Sequence, residues 1–112
     1  MTNKNIKLLV MAVVQEQDLE AAMREAEALG ALTVYFASAG GFLGRRNATL
    51  LIALPEGREQ AVLDALHVVC RQRIEYMTLP LEGSPMPMPA PVPVTVGGAT
   101  VFALPVERLE EF

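Results

Sequence analysis

The sequence predicts an α+β domain in which two helices cover one face of an antiparallel sheet. Three observations predict it. Short apolar, β-branched runs alternate with stretches in helical period, in the order β-α-β-β-α-β. Turn residues, Gly30, Pro55 and Gly57 among them, punctuate the boundaries. The chain has 112 residues, one domain's worth, and 52% of them are hydrophobic against 20% charged, ample material for a core. That element order is the ferredoxin-like sandwich, with extra C-terminal strands after a connector.

Ile6 to Val14 is too brief for a stable helical stripe and reads as the first strand. Lys4 and Lys7 give it a superficial look of a signal peptide, but Lys7 interrupts the run and no small-residue cleavage site follows. Leu19, Ala22, Met23, Ala26 and Leu29 then fall at helical spacing, with Glu20, Arg24, Glu25 and Glu27 on the opposite face. Asp18 is expected to cap the start of this helix and Gly30 its end. Leu32 to Ser38 and Ala48 to Leu54 read as strands of a hairpin whose long tip is Ala39 to Asn47. Val62, Ala65, Leu66 and Val69 form a second helical stripe, and Arg71 and Arg73 suit its negative end. Ile74 to Leu79 is expected to be the fourth strand.

Prolines at 80, 85, 87, 89, 91 and 93 predict an extended, polyproline-like connector over about 80–93 without a ladder of its own. Its place between strands favours a rigid structural role over peptide recognition. Val94 to Val96 and Ala99 to Val106 then read as two short strands around a tight Gly97-Gly98 turn, before a charged, solvated tail. The whole is expected to be one domain over 1–112. The first strand is apolar on both faces (Leu8, Val10, Ala12 against Leu9, Met11, Val13), and so is the third. A sheet face open to water alternates apolar with polar residues, so a subunit partner is expected on the helix-free face.

A net charge of −4 and a pI near 4.9 argue against nucleic acid as a partner. No run of apolar residues approaches the roughly 18 that span a bilayer, and a lone Cys70 suits a reducing compartment, so a cytoplasmic location without membrane insertion is expected. One Cys and one His cannot form an ordinary zinc site, and neither a metal nor a cofactor is expected. His67 stands alone on the second helix, no nucleophile has a recognisable base, and no Gly-rich phosphate motif is complete, so an enzyme is the least expected class. The hairpin tip is the exception. Gly40, Gly41 and Gly44 permit close backbone approach, Phe42 offers a stacking face, Arg45 and Arg46 can meet phosphate, and Asn47 can read a base edge. The same composition also fits a loop that tucks Phe42 and Leu43 into a core and leaves its arginines solvated.

Gly40-Gly41-Phe42-Leu43 followed by Asn47 and Thr49, together with Val96-Gly97-Gly98-Ala99-Thr100-Val101-Phe102 and Leu104-Pro105-Val106, resembles the PII-like cyclic di-AMP receptor family. Val13-Val14-Gln15 before Gln17 and Asp18 is similar to that family's first strand end. The resemblance runs nearly end to end, with a connector that is shorter and proline-rich. It implies a ferredoxin-like subunit of a bacterial homotrimer that binds cyclic di-AMP, or a related adenine nucleotide, in clefts between subunits. It implies signalling without catalysis, through loop order that alters contacts with a downstream protein. By position, Gly41, Phe42 and Leu43 would line the adenine site, with Gly40 beside them among the ligand-binding residues, Asn47 would hydrogen-bond the nucleotide and Phe102 would lie beneath it. The family pattern has Arg and Thr where this chain has Leu32 and Val34, and Gly where it has Ala53. These departures imply a ligand held differently, more weakly, or replaced by another nucleotide, with Arg45 or Arg46 meeting its charge.

Overall fold

The structure is a computed structural model that describes residues 5–37, 46–79 and 90–112. Its elements are β1 (Ile6–Gln15), α1 (Glu16–Ala28), β2 (Leu32–Ala37), β3 (Asn47–Pro55), α2 (Glu59–Val69), β4 (Arg73–Leu79), β5 (Ala90–Val96) and β6 (Ala99–Pro105). A four-stranded antiparallel sheet runs in the order β2-β3-β1-β6, and β4 and β5 form a separate two-stranded ribbon. This is the expected α+β, ferredoxin-like arrangement, with one exchange. The strand beside β1 is β6, not the run from Ile74 to Leu79. β6 can bury Val101 against the core while Phe102 and Leu104 extend the other face, whereas β4 carries Arg73 and Glu75.

Alternation along the central strands builds the core. Val10, Ala12 and Val14 of β1 and Ala48, Leu50, Ile52 and Leu54 of β3 are buried beneath Leu19, Ala22 and Ala26 of α1 and Val62 and Leu66 of α2. Both helical stripes therefore pack on one sheet face, as their spacing predicts. α1 ends in a Schellman motif: Gly30 at φ 88° donates to Glu27, and Ala31 donates to Ala26. The expected cap at its other end is corrected. Gln15 occupies the N-cap position and Asp18 lies inside the first turn, buried, where it binds Arg73 instead.

The opposite sheet face carries no helix. Strand register places its side chains in three rows: Leu32, Ala53, Leu9 and Leu104; then Val34, Leu51, Met11 and Phe102; then Phe36, Thr49, Val13 and Thr100. Ten of these twelve are apolar, and Leu32, Val34, Phe36, Phe102 and Leu104 are all exposed at the two edges.

Two expectations for the C-terminal half fail. Ala90–Val96 pairs with β4, placing Pro91 opposite Thr78 and Pro93 opposite Tyr76, so this part of the connector has a ladder; residues 80–89 lie outside the described ones. Prolines spaced by two put both missing N–H groups on the same side, which an edge strand tolerates. Gly97 and Gly98, at φ 88° and 91°, do not turn a hairpin, because β5 and β6 belong to different sheets. They are a junction. The ribbon projects from the body, with Ile74 and Tyr76 exposed, and the radius of gyration is 17.9 Å, against about 13 Å for a compact 100-residue domain.

Candidate functional site

The end of β1, the start of β3 and the β5–β6 junction converge on a polar cavity of about 280 Å³. Gln15, Asn47, Gln72, Gly97, Gly98 and Thr100 contribute to its walls. Sheet register creates this convergence: Gln15 lies opposite Asn47 and Val13 opposite both Thr49 and Thr100. The backbone N–H of Glu16 donates to the carbonyl of Arg46 at 2.7 Å, so the chain re-enters from the hairpin tip beside the start of α1. The amide side chains of Gln15, Asn47 and Gln72 give the cavity both donors and acceptors for a planar polar ligand.

Next to Gly97 lies a bonded cluster. Arg73 Nη2 donates to Asp18 Oδ1 at 2.8 Å and Nη1 to Oδ2 at 3.5 Å; Nη1 also donates to the Arg71 carbonyl at 3.0 Å and Nε to Glu75 at 3.2 Å. Asp18 is the one buried charged residue among those described, and this forked contact satisfies it. The hydrogen bond to Asp18 raises the Arg73 guanidinium above its ordinary value. Gly97 N–H donates to Gln15 Oε1 at 2.8 Å, and Gly98 N–H donates to the Cys70 carbonyl. Burial, reinforced by the negative charge of Asp18, pushes the Cys70 thiol up to about 11.

The sequence-derived site residues fall into three groups. Asn47 lines the cavity, and Arg46, its neighbour in sequence, is exposed. Gly40, Gly41, Phe42, Leu43 and Arg45 lie outside the described residues. Leu32, Val34 and Ala53 sit together on the helix-free face, with Leu32 directly opposite Ala53. Phe102 shares a sheet row with Val34, but β3 and β1 intervene, which separates them by about 14 Å. One copy alone does not bring Val34 and Phe102 together. His67 is exposed on a separate groove of about 450 Å³ between α2 and β6. Among the described residues no group of three or more His, Cys, Asp or Glu could hold a metal ion, and no helix is long and apolar enough to cross a membrane. Sequence reasoning missed the Asp18–Arg73 pair, because 55 residues separate the partners and each had a plausible local use at a helix end.

The sheet order, the two helices on one face and the site at the sheet end define a PII-like member of the ferredoxin-like class. The fold is shared with a functionally unknown protein from Pediococcus pentosaceus, 31% identical over 96% of this chain and 99% of that one, with a TM-score of 0.71. It is shared also with a duf3240 family protein from Shewanella baltica, 13% identical over 100% and 99% of the two chains with a TM-score of 0.56. A third similar structure is CPII from Thiomonas intermedia, bound to ADP, AMP and acetate, 12% identical over 91% and 89% at a TM-score of 0.54. The chain belongs to the cyclic-di-AMP receptor family, whose description matches residues 6–112.

Proposed function

We propose that this protein is a non-enzymatic, cytoplasmic signal receptor that binds cyclic di-AMP, or a related adenine nucleotide, between the subunits of a homotrimer. The observation that carries the reading is the family match, which spans the whole described fold, including the cavity residues Gln15, Asn47, Gly97 and Thr100. Two physical features support it. The helix-free face exposes apolar rows that a second copy would cover, and Phe102 stands on the opposite sheet edge from Leu32 and Val34, so a site using all three needs two subunits. In it, Gly41, Phe42 and Leu43 line the adenine site, Asn47 hydrogen-bonds the nucleotide, and Arg45 or Arg46 meets the phosphates.

Isothermal calorimetry against cyclic di-AMP, ADP, AMP and cyclic di-GMP, beside light scattering of the eluted protein, tests the reading. Saturable heat with an adenine nucleotide, recovery of that nucleotide unchanged, and a trimer mass are expected. No heat with any adenine nucleotide at high micromolar concentration overturns the ligand; a monomer at micromolar concentration overturns the interfacial site.

A second reading is favoured by Leu32, Val34 and Ala53. Their contiguous apolar surface offers no side-chain hydrogen bond to a phosphate or base edge. It would suit a PII-like trimer that takes a different small ligand, or one that serves protein interaction with a vestigial nucleotide site.

A further inference from the structure

We propose that the groove between α2 and β6 is a socket that receives Tyr35 from a second copy of the chain. This seat rests on the subunit arrangement read above, and it adds a contact on the helix-covered face of the sheet, away from the nucleotide.

β2 is an edge strand with large apolar side chains exposed on both faces. Val34 and Phe36 belong to the helix-free face. Tyr35, 51% exposed, belongs to the other, because its cross-strand partner Leu50 and the next residue in line, Ala12, are both buried beneath the helices. A partner that covered only the helix-free face would leave this aromatic ring in water. At the opposite edge of the sheet the relief on the same face is reversed. There α2 and β6 leave between them a groove of about 450 Å³, floored by Leu63, Leu66, Cys70 and Val101, with the exposed Asp64 and His67 among its walls. An apolar floor under polar walls suits tyrosine, which has an apolar body and a hydroxyl that needs a hydrogen-bond partner.

Strand register matches this side chain to this groove. Tyr35, Leu50, Ala12 and Val101 form one row across the sheet, just as Val34, Leu51, Met11 and Phe102 form the adjacent row on the other face. Within one copy the ends of the Tyr35 row lie about 14 Å apart, three strand spacings, so Tyr35 does not fill its own groove. Between copies the distance closes. The interfacial reading brings Val34 of one subunit to Phe102 of the next, and Tyr35 and Val101 are the following and preceding residues on those two strands, with side chains on the opposite face. An arrangement that sets the first pair around a ligand carries the second pair together on the far side of the same junction. Apolar side chains exposed at one edge are then covered on both faces by a single contact between copies.

Photocrosslinking of the full chain carrying Tyr35→p-benzoylphenylalanine tests the seat, with the mass of the assembly read by light scattering. Irradiation should give crosslinked multimers on a denaturing gel, and peptide mapping should place the attachment at Leu63, Leu66, His67 or Val101. Dilution of the uncrosslinked variants supplies a second measurement. Tyr35→Ser should raise the concentration at which the assembly half-dissociates at least about tenfold, whereas Tyr35→Phe, which keeps the ring, should stay within about threefold of the unsubstituted protein. If the bulkier benzophenone itself prevents assembly, the Ser and Phe variants decide. Crosslinks from a trimer that map away from α2 and β6, a Ser variant that dissociates like the unsubstituted protein, or equal losses in the Ser and Phe variants each overturn the socket, leave the groove to another occupant and leave the trimer standing. An unsubstituted protein that is a monomer at micromolar concentration overturns the subunit arrangement and the socket with it.

Discussion

The four-stranded sheet and the two-stranded ribbon are held in place by different forces. In the sheet, Leu50, Ile52, Val10 and Val14 are almost wholly removed from water beneath two helices, and burial of that kind is worth about 1.5–3 kcal/mol per side chain. In the ribbon, Ile74, Tyr76 and Val92 stay in solvent, and a handful of directional bonds at the base set its position. Burial is non-directional and shared among many residues, so it fixes a body robustly. Directional bonds are few and individually replaceable, so they fix an appendage in a way that one competing group can undo.

Substitutions should separate the two regions by size of effect. Leu50→Ala removes a side chain fully buried at the centre of the sheet and should cost about 3–5 kcal/mol in urea unfolding. Gly97→Ala should cost about 2–4 kcal/mol, combining a forbidden φ with a clash against Arg71, and hydrogen exchange should show the loss of protection confined to the ribbon and its junction. Gly30→Ala shares the positive φ but meets no atom within 4 Å, so about 1–2 kcal/mol is expected; equal losses at Gly97 and Gly30 would mean that the close approach to Arg71 is irrelevant. On the ligand side, Phe42→Ala and the joint Arg45→Ala, Arg46→Ala change should each weaken cyclic di-AMP binding about tenfold by calorimetry, or about 1.4 kcal/mol. If the arginine pair leaves affinity and salt dependence intact, phosphate charge is met elsewhere.

Cys70 supplies a pH test of how tightly the body closes under the ribbon. Its ordinary thiol value of 9.0 rises to about 11 in the fold, so the neutral form is favoured in the native state. The stabilisation it contributes is complete below 9.0 and is lost as pH rises through about 11, because the unfolded thiol ionises first. Denaturation midpoints should fall across that window in the wild type and less in Cys70→Ala. The smallest effect is expected at the ribbon surface: Tyr76→Ala should change stability by no more than about 0.5 kcal/mol.

The same contrast explains what could be read from the sequence. β1, β3 and both helices announce themselves through period and burial, and the Schellman stop at Gly30 follows from local chemistry alone. The ribbon does not, because prolines at 91 and 93 look like strand breakers until an edge strand places their missing N–H groups together. Sheet membership was equally hidden: β4 and β6 are both plausible partners for β1, and the choice depends on what packs against Val101, Phe102 and Leu104, which is a tertiary matter. For the site, Asn47 and the Gly97–Gly98 pair were visible as motifs. Gln15 acquires its part only from an 82-residue contact with Gly97, and Asp18 only from Arg73, 55 residues away.

The two edges of the main sheet carry one more consequence. β2 and β6 are different strands, and they run in opposite directions because β2 is parallel to β1 while β6 is antiparallel to it. Contact between β2 of one copy and β6 of another is therefore head-to-tail, and such contacts either close into a ring or propagate without limit. Leu32, Val34 and Phe36 present an apolar, β-branched and aromatic border with no charged gatekeeper among the six residues of β2. Closure of a ring is then also what would keep this strand from seeding fibrils, so conditions that dissociate the proposed trimer should be the ones in which the protein precipitates.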